Sequence, residues 1–285
     1  MTSVPGRDTV AHIPTRGGAT LSGRWFWPTG TPRGAVLIAP AMATPARFYS
    51  SLASWLAENG YTTLTFDYEG FGDSRVGPLR EVSADLNQWM TDADDALSHL
   101  AAETDGLPLT WIGHSLGGQI MAFADHTRVS RAITIAVGSG YWKLLPPRIR
   151  RWTPLMLAVV APVTTRVLGY YPGSRLGLGN DLPAPAMRQW CEWLADPDYV
   201  VGAMGAKDRF GGVRLPITAL SFTDDELISP RGVDALHGWF VNGDVTRVNY
   251  APDELGVSRL GHFGLFRSRN RELWPDLFLR HLPEA

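Results

Sequence analysis

The 285-residue sequence predicts an α/β fold, a mainly parallel sheet with helices packed on both faces. Three observations lead there. Short apolar runs rich in β-formers alternate with segments of helical periodicity along most of the chain. The composition, 45% hydrophobic and 19% charged, is globular, and the length suffices for one large core. One stretch, residues 141–207, breaks the alternation. It reads as an insertion rather than a second domain, because about 65 residues barely hold a core of their own.

The elements follow in order. DTVAHIPT and ATLSGRWFW, joined by Arg16-Gly17-Gly18, predict a β-hairpin. GAVLIAP (34–40) is a buried strand ending in proline. Residues 45–60 place Phe48, Leu52, Trp55 and Leu56 near helical spacing and stop at Asn59-Gly60, a helix terminus. YTTLTFD (61–67) is the next strand. Leu86, Met90, Ala93 and Leu97 mark a helix over 83–103. LPLTWIG (107–113) reads as a strand, residues 115–126 as a helix and VSRAITIAV (129–137) as a strand. After the insertion come a strand (215–222), a helix (230–240), a strand (244–251) and a final helix over 267–282. The expected organisation is a core of residues 1–140 and 208–285, with 141–207 as a mostly helical cap.

Charge and cysteine content narrow the function classes. The net charge is -2 with scattered arginines, and lysine occurs only at Lys143 and Lys207. This favours neither nucleic acid nor an anionic membrane as partner. Cys191 is the only cysteine, which excludes an intrachain disulfide and zinc sites built on cysteine pairs. No metal or cofactor is implied. MTSVPGRDTVAHIP has no apolar h-region of a secretory leader. LMLAVVAPV (155–163) falls short of the about 20 residues a bilayer requires, and Pro154, Pro162 and Arg166 bracket or interrupt it. The expectation is a soluble, cytoplasmic protein.

The chemistry centres on WIGHSLGGQI (111–120). Gly113-His114-Ser115-Leu116-Gly117 has the G-x-S-x-G pattern at a strand-to-helix turn, where Ser115 Oγ stands above the sheet and the next helix aims its N–H groups at developing negative charge. A serine hydroxyl needs a base. Acid then histidine should follow at the ends of later strands, and the chain offers Thr223-Asp224-Asp225-Glu226 and Leu260-Gly261-His262-Phe263-Gly264. His262 is the candidate general base. His99 and His237 fall on predicted helices, His126 lies at a helix end, His281 near the C-terminus and His12 in the first hairpin. His114 adjoins Ser115 and is assigned to the pocket wall. Asp225 is preferred as the acid over Asp224 and Glu226, whose carboxylates are expected to cap the next helix or face solvent.

With Ser115, Asp225 and His262 in place, the chain resembles the α/β-hydrolase superfamily over nearly its whole length. TLTFDYEGFGDS (63–74) resembles the loop after the fourth strand of that fold. APAMATPARFYSSLASWLAENGY, GYYPGSRLGLG and SFTDDE are similar to a poorly characterised bacterial branch, distantly similar to serine aminopeptidases and monoacylglycerol lipases. The resemblance implies a mostly parallel eight-stranded sheet flanked by helices, with an inserted helical cap. It also implies an oxyanion hole. Many relatives have His-Gly after the third strand, where this chain has Ala39-Pro40-Ala41-Met42. Proline has no N–H, so the donor is Ala41 or Met42. Ala41 is assigned, with Leu116 as the second donor.

The implied reaction is acyl transfer. Ser115 attacks a carbonyl, His262 shuttles the proton, the amides hold the oxyanion, and water releases the acyl group. Tyr141, Trp142, Trp152, Trp190, Trp193, Met156, Leu157 and Met187 are concentrated in the insertion. Trp142, Trp152 and Trp190, with Met42, His114 and Phe263, are the candidate pocket for an apolar acyl group. The expected substrate is a small-molecule ester or thioester. An aminopeptidase needing a carboxylate for a free amine would have to use Glu192, Asp196 or Asp198. Acyl transfer, cyclisation and a ligand-binding scaffold without catalysis are the alternatives.

Overall fold

In the computed structural model, which describes residues 8–283, β1 (Asp8–Pro14) and β2 (Thr20–Phe26) form the expected antiparallel hairpin. The first half of the segment read for a secretory leader lies outside the described residues. β3 (Gly34–Ala39), α1 (Ser50–Glu58), β4 (Tyr61–Phe66), α2 (Leu86–Glu103), β5 (Leu109–His114), α3 (Leu116–Gln119) and β6 (Val129–Ile135) follow. Residues 141–207 carry α4 (Pro147–Arg150), α5 (Thr153–Leu155), a π-turn (Met156–Val160), α6 (Ala161–Val167), β7 (Tyr170–Tyr171), α7 (Gly173–Leu176), β8 (Leu182–Pro183), α8 (Ala184–Ala195) and α9 (Val200–Ala203). They lead into α10 (Lys207–Gly212). β9 (Pro216–Phe222), α11 (Pro230–His237), β10 (Asp244–Tyr250) and α12 (Trp274–Phe278) complete the chain.

Eight strands form one sheet in the order β1-β2-β4-β3-β5-β6-β9-β10. The pairs from β4 to β10 are all parallel, and the hairpin joins them antiparallel through β2 and β4. Side chains alternate across each strand. Leu37, Leu64 and Trp111 meet Trp89 and Leu97 of α2 on one face. Val36, Ile38, Ile112 and Ile133 meet Leu52 and Leu56 of α1 and Trp274 and Phe278 of α12 on the other. Both faces are covered, which is why these strands are continuous apolar runs. The strand order reverses at β3, which lies between β4 and β5. In open α/β sheets a crevice forms beyond the carboxyl ends at such a reversal. Residues 40–42 and 115 lie at those ends.

Two helices are shorter than the sequence predicts. The helix expected over 115–126 stops at Gln119 and continues as 3-10 turns at Met121–Phe123 and His126–Arg128. Gly117-Gly118 is a weak helix former, and Ala124 turns extended at φ -80°, ψ 166°. The helix expected over 267–282 is divided at Asn270 (φ -103°, ψ 16°), whose side-chain amide donates to the Gly264 carbonyl at 2.8 Å. Pro275 then sits in the first turn of α12, lacking the N–H that would extend a helix from upstream.

α11 is tied to the sheet by a buried imidazole. His237 Nδ1 donates to the Val233 carbonyl at 2.9 Å, so Nε2 accepts from Thr134 Oγ1, also at 2.9 Å. Burial lowers its pKa to about 4. The unfolded chain therefore takes up this proton below about pH 6.5, whereas the folded chain refuses it until about pH 4. Stability falls across that window by on the order of 3 kcal/mol and levels off below it. Burial raises Asp92 to about 7 and Asp67 to about 6, and these act in the opposite sense. The difference between wild type and His237→Asn in urea midpoint, followed from pH 7 to pH 4, isolates the imidazole. The wild type loses more stability on acidification. Parallel pH profiles for the two proteins would refute the assignment.

Candidate active site

Ser115 follows β5 directly, with φ 48° and ψ -115°, a conformation that L-residues rarely adopt. The strain is held by close backbone packing. A Cβ on Gly117 would lie 2.1 Å from the Ala39 carbonyl oxygen, and one on Gly113 would lie 2.5 Å from Gly118 Cα. Only glycine fits on either side. Ser115 N–H donates to the Ile135 carbonyl at 3.1 Å, and Trp111 Nε1 donates to the Gly117 carbonyl at 2.9 Å. These bonds brace the turn from both sides.

The acids after β9 all converge on the histidine loop. Asp225 Oδ2 lies 2.9 Å from His262 Nδ1, and both side chains are nearly fully buried. Asp225 Oδ1 also accepts from Leu227 N–H at 2.7 Å and Ile228 N–H at 2.9 Å. An acceptor-only carboxylate fixes the proton on Nδ1 and leaves the Nε2 lone pair unprotonated. Asp224 does not touch the ring. It accepts from Leu260 N–H at 2.9 Å and Gly261 N–H at 3.0 Å, while Glu226 accepts from His262 N–H at 3.2 Å. Both carboxylates thus anchor the loop backbone and neither caps a helix, while Glu226, 45% exposed, also faces solvent as the sequence reading expected. Three successive acids divide the work because a loop of exposed N–H groups needs acceptors beside the one that orients the ring.

Three assigned residues require correction, Ala41 and His114 first. Ala41 N–H donates to Tyr49 Oη at 2.9 Å and is therefore spent. Met42 N–H and Leu116 N–H have no acceptor among the described residues. His114 does not line the cavity. It lies beneath the site, fully buried, with Nδ1 2.8 Å from Tyr49 Oη and Nε2 2.9 Å from the His262 carbonyl oxygen. The carbonyl only accepts, so Nε2 carries the proton and Nδ1 accepts from Tyr49. Burial holds this imidazole well below its ordinary pKa, so it stays neutral. The chain Ala41–Tyr49–His114–His262 thereby joins the turn after β3 to the histidine loop. The turn has a second tie. Ala43, at φ 56°, accepts at its carbonyl from Asn180 N–H (3.2 Å) and Asn180 Nδ2 (2.9 Å).

Ser115 and His262 open on a cavity of about 500 Å³. Met42, Trp152, Met156, Met187, Trp190 and Phe263 are prominent in its lining, and Ala41 and Leu116 border it as well. Trp142 is the second pocket residue to be corrected. It sits on the 3-10 turn Trp142–Leu144, half-buried, with Lys143 over its ring, and stays outside the cavity. Trp193 is fully buried in the core instead. Sequence reasoning missed Tyr199 and Gln119. Tyr199 Oη, fully buried, accepts from Trp190 Nε1 at 2.9 Å and donates to Gln119 Oε1 at 3.2 Å. A lone tyrosine in a loop carries no spacing signal. No carboxylate borders the cavity, and Arg148 stands at its wall. Among the described residues no cluster of His, Cys, Asp and Glu could hold a metal ion. No helix among them is long and apolar enough to cross a membrane.

A mostly parallel eight-stranded sheet, a strained serine turn at the end of β5 and an acid–histidine pair beyond β9 define an α/β-hydrolase fold. The family described as serine aminopeptidase, S33, matches residues 30–190, more than half of the chain, and the chain belongs to it. Monoglyceride lipase of Saccharomyces cerevisiae is 30% identical over 168 residues, which make up 56% of this chain and 51% of the yeast protein. The human monoglyceride lipase is 28% identical over 118 residues, 41% of this chain and 38% of that protein. The matches thus span about half or less of these relatives. The solved structure of DcsB in complex with its substrate analogue superposes with a TM-score of 0.68, at 17% identity over 98% of this chain and 100% of that one. A soluble variant of the yeast monoglyceride lipase, in complex with a substrate analog, gives 0.66 at 18% identity over 97% and 96%. At such identities the likeness establishes the fold.

Tyr49→Phe tests the buried chain. It strands the Ala41 N–H and His114 Nδ1, and each lost partner costs about 1–3 kcal/mol. Urea unfolding should show a loss of at least about 2 kcal/mol. A loss under about 0.5 kcal/mol would mean that these bonds do not form.

Proposed function

We propose that the protein is a serine esterase that hydrolyses esters of medium-length apolar acyl groups. In this reading Ser115 is the nucleophile, His262 the general base and Asp225 the carboxylate that orients the imidazole. His262 Nε2 takes the Ser115 proton as Oγ attacks the acyl carbonyl. Met42 N–H and Leu116 N–H hold the oxyanion. His262 then protonates the leaving alcohol, and a water activated by the same nitrogen releases the acid. Asp225 stays ionised, and the imidazolium forms beside it.

The observation that carries this reading is the cavity shared by Ser115 and His262. Its volume lies within the roughly 300–1,000 Å³ range of small-ligand sites, and its wall is aliphatic and aromatic. Residues 141–207 would serve as the cap that closes it, since Trp152, Met156, Met187 and Trp190 come from there. The family's aminopeptidase activity fits less well. A free α-amine is a cation, and this cavity meets it with Arg148 and no carboxylate; Glu192, Asp196 and Asp198 lie outside it.

A fluorophosphonate probe followed by peptide mass spectrometry should label Ser115 and no other serine. Ser115→Ala should lower kcat by a factor on the order of 10⁴ or more. Across p-nitrophenyl esters of increasing length, kcat/KM should peak at medium chains and exceed that for aminoacyl p-nitroanilides. Preference for the anilides would establish the peptidase reading instead.

Asn180 acts through the turn at 41–44. Its two bonds to the Ala43 carbonyl fix the 43–44 peptide plane, two peptide units on from the Met42 donor in the same turn. Asn180→Ala should lower kcat about tenfold with KM and melting temperature nearly unchanged. A change confined to KM would assign Asn180 to substrate binding.

A further inference from the structure

Among the described residues ten large hydrophobic side chains are exposed, and seven lie between Trp152 and Leu176. Trp152, Leu155, Val159, Val163 and Val167 recur every three or four residues along α5, the π-turn and α6. That spacing puts them on one face. Leu168 and Leu176 are exposed as well. Val167 is 74% exposed and Trp152 60%. Exposed apolar side chains scattered singly need no explanation, but a contiguous group on one element does.

The charge along residues 141–180 has a single sign, and Asp181 follows beside Val167 and Leu168. Residues 141–180 contain Lys143, Arg148, Arg150, Arg151, Arg166 and Arg175, and no aspartate or glutamate. None of the six forms an ion pair among the described residues. Set against a whole-chain charge of -2, these six cations leave -8 on everything else. The near-neutral total hides a strongly polarised molecule. Arg151 also stacks on Trp152, its guanidinium carbon 5.6 Å from the ring centre.

The apolar face runs into the cavity. Trp152, Leu155 and Leu176 are exposed at the surface and also line the space that Ser115 and His262 share. An acyl chain entering there would meet hydrocarbon from outside to inside.

We propose that this face docks on the surface of an anionic lipid bilayer. The helix lies in the interface, its apolar side chains reach the acyl boundary, and the flanking arginines meet the lipid phosphates. Buried apolar area and attraction to anionic headgroups are the two contributions that set such binding, and this face supplies both. A second copy of the chain fits it poorly, because a two-fold contact would set six cations against six. Taken with the esterase reading, on which this clause rests, the substrates are esters held in the membrane, whose acyl chains pass into the cavity without crossing water.

Co-sedimentation of the full chain with phosphatidylcholine vesicles, with and without phosphatidylglycerol, tests the docking. The partition coefficient should be at least about tenfold higher on the anionic vesicles and should fall at high salt. Val159→Asp with Val163→Asp, and separately Arg151→Glu with Arg166→Glu, should each lower it about tenfold or more. None of these four residues borders the cavity. Melting temperature and turnover of a short water-soluble ester should therefore stay at wild-type values. Ser115→Ala should bind vesicles like wild type, which separates failure of the docking from failure of the esterase reading. Equal binding to both vesicle types would overturn the proposal, as would binding that survives both double substitutions. A dimer in sedimentation velocity that the valine substitutions abolish would also overturn it, since a second copy would then cover the face.

Discussion

A buried carboxylate next to a buried imidazole carries a large desolvation cost, and most of the site follows from how that cost is met. Asp225 is nearly sealed from water, so its oxygens need donors. It finds them in Leu227 N–H, Ile228 N–H and His262 Nδ1–H. The ring has then lost its rotational freedom and its choice of tautomer together. Because Asp224 and Glu226 grip the loop backbone at Leu260, Gly261 and His262, one tripeptide sets both where the loop lies and how the ring faces. The parallel pairing of β9 with β10 brings residues 37 positions apart into this contact.

The chain through Tyr49 and His114 extends that order to the opposite wall. Every proton in it has one permitted position. The His262 carbonyl forces Nε2–H on His114, which forces Nδ1 to accept, which leaves Tyr49 Oη to accept from Ala41. Neutrality of His114 matters for chemistry as well as for folding. Its ring centre lies 4.9 Å from that of His262. A charge there would oppose an imidazolium on His262, the species the proposed acylation requires. Burial thus keeps a second histidine close to the site without a second cation.

The regular part of the fold was legible because parallel strands covered on both faces must be apolar throughout, as GAVLIAP and LTWIGH are. Helix lengths were less legible. Pro275 and the Asn270 side chain interrupt a pattern whose apolar spacing reads as continuous. In the site, chain order and turn chemistry bring up Ser115, Asp225 and His262 as candidates. Which of three adjacent acids meets the ring depends on the turn after β9, and spacing says nothing of that. The fate of Ala41 was equally hidden, because Tyr49 takes its N–H from a turn eight residues away. His114 looks in the sequence like a neighbour of the nucleophile. The strand pleat and the strained φ of Ser115 send the two side chains to different surroundings.

Residues 141–207 show why charge and hydropathy averaged over a chain mislead. α8 buries Met187, Trp193 and Leu194, as a helix packed on a core must. The stretch from Thr153 to Val167 departs from that pattern, with Leu155, Val159, Val163 and Val167 outside, Met156, Leu157 and Val160 half-buried, and Thr153, Ala161 and Thr165 fully inside. The three buried positions are small residues, and the two threonines satisfy their hydroxyls on backbone carbonyls of the preceding turn. The four exposed side chains gain nothing in water, and a surface that covers them accounts for their placement. Asn180 lies in the same stretch and holds the carbonyl of Ala43, the residue after the proposed oxyanion donor. The stretch that carries the outer apolar face thus also carries the side chain that fixes the turn at 41–44, and recognition of a surface and readiness for chemistry draw on one segment of the chain.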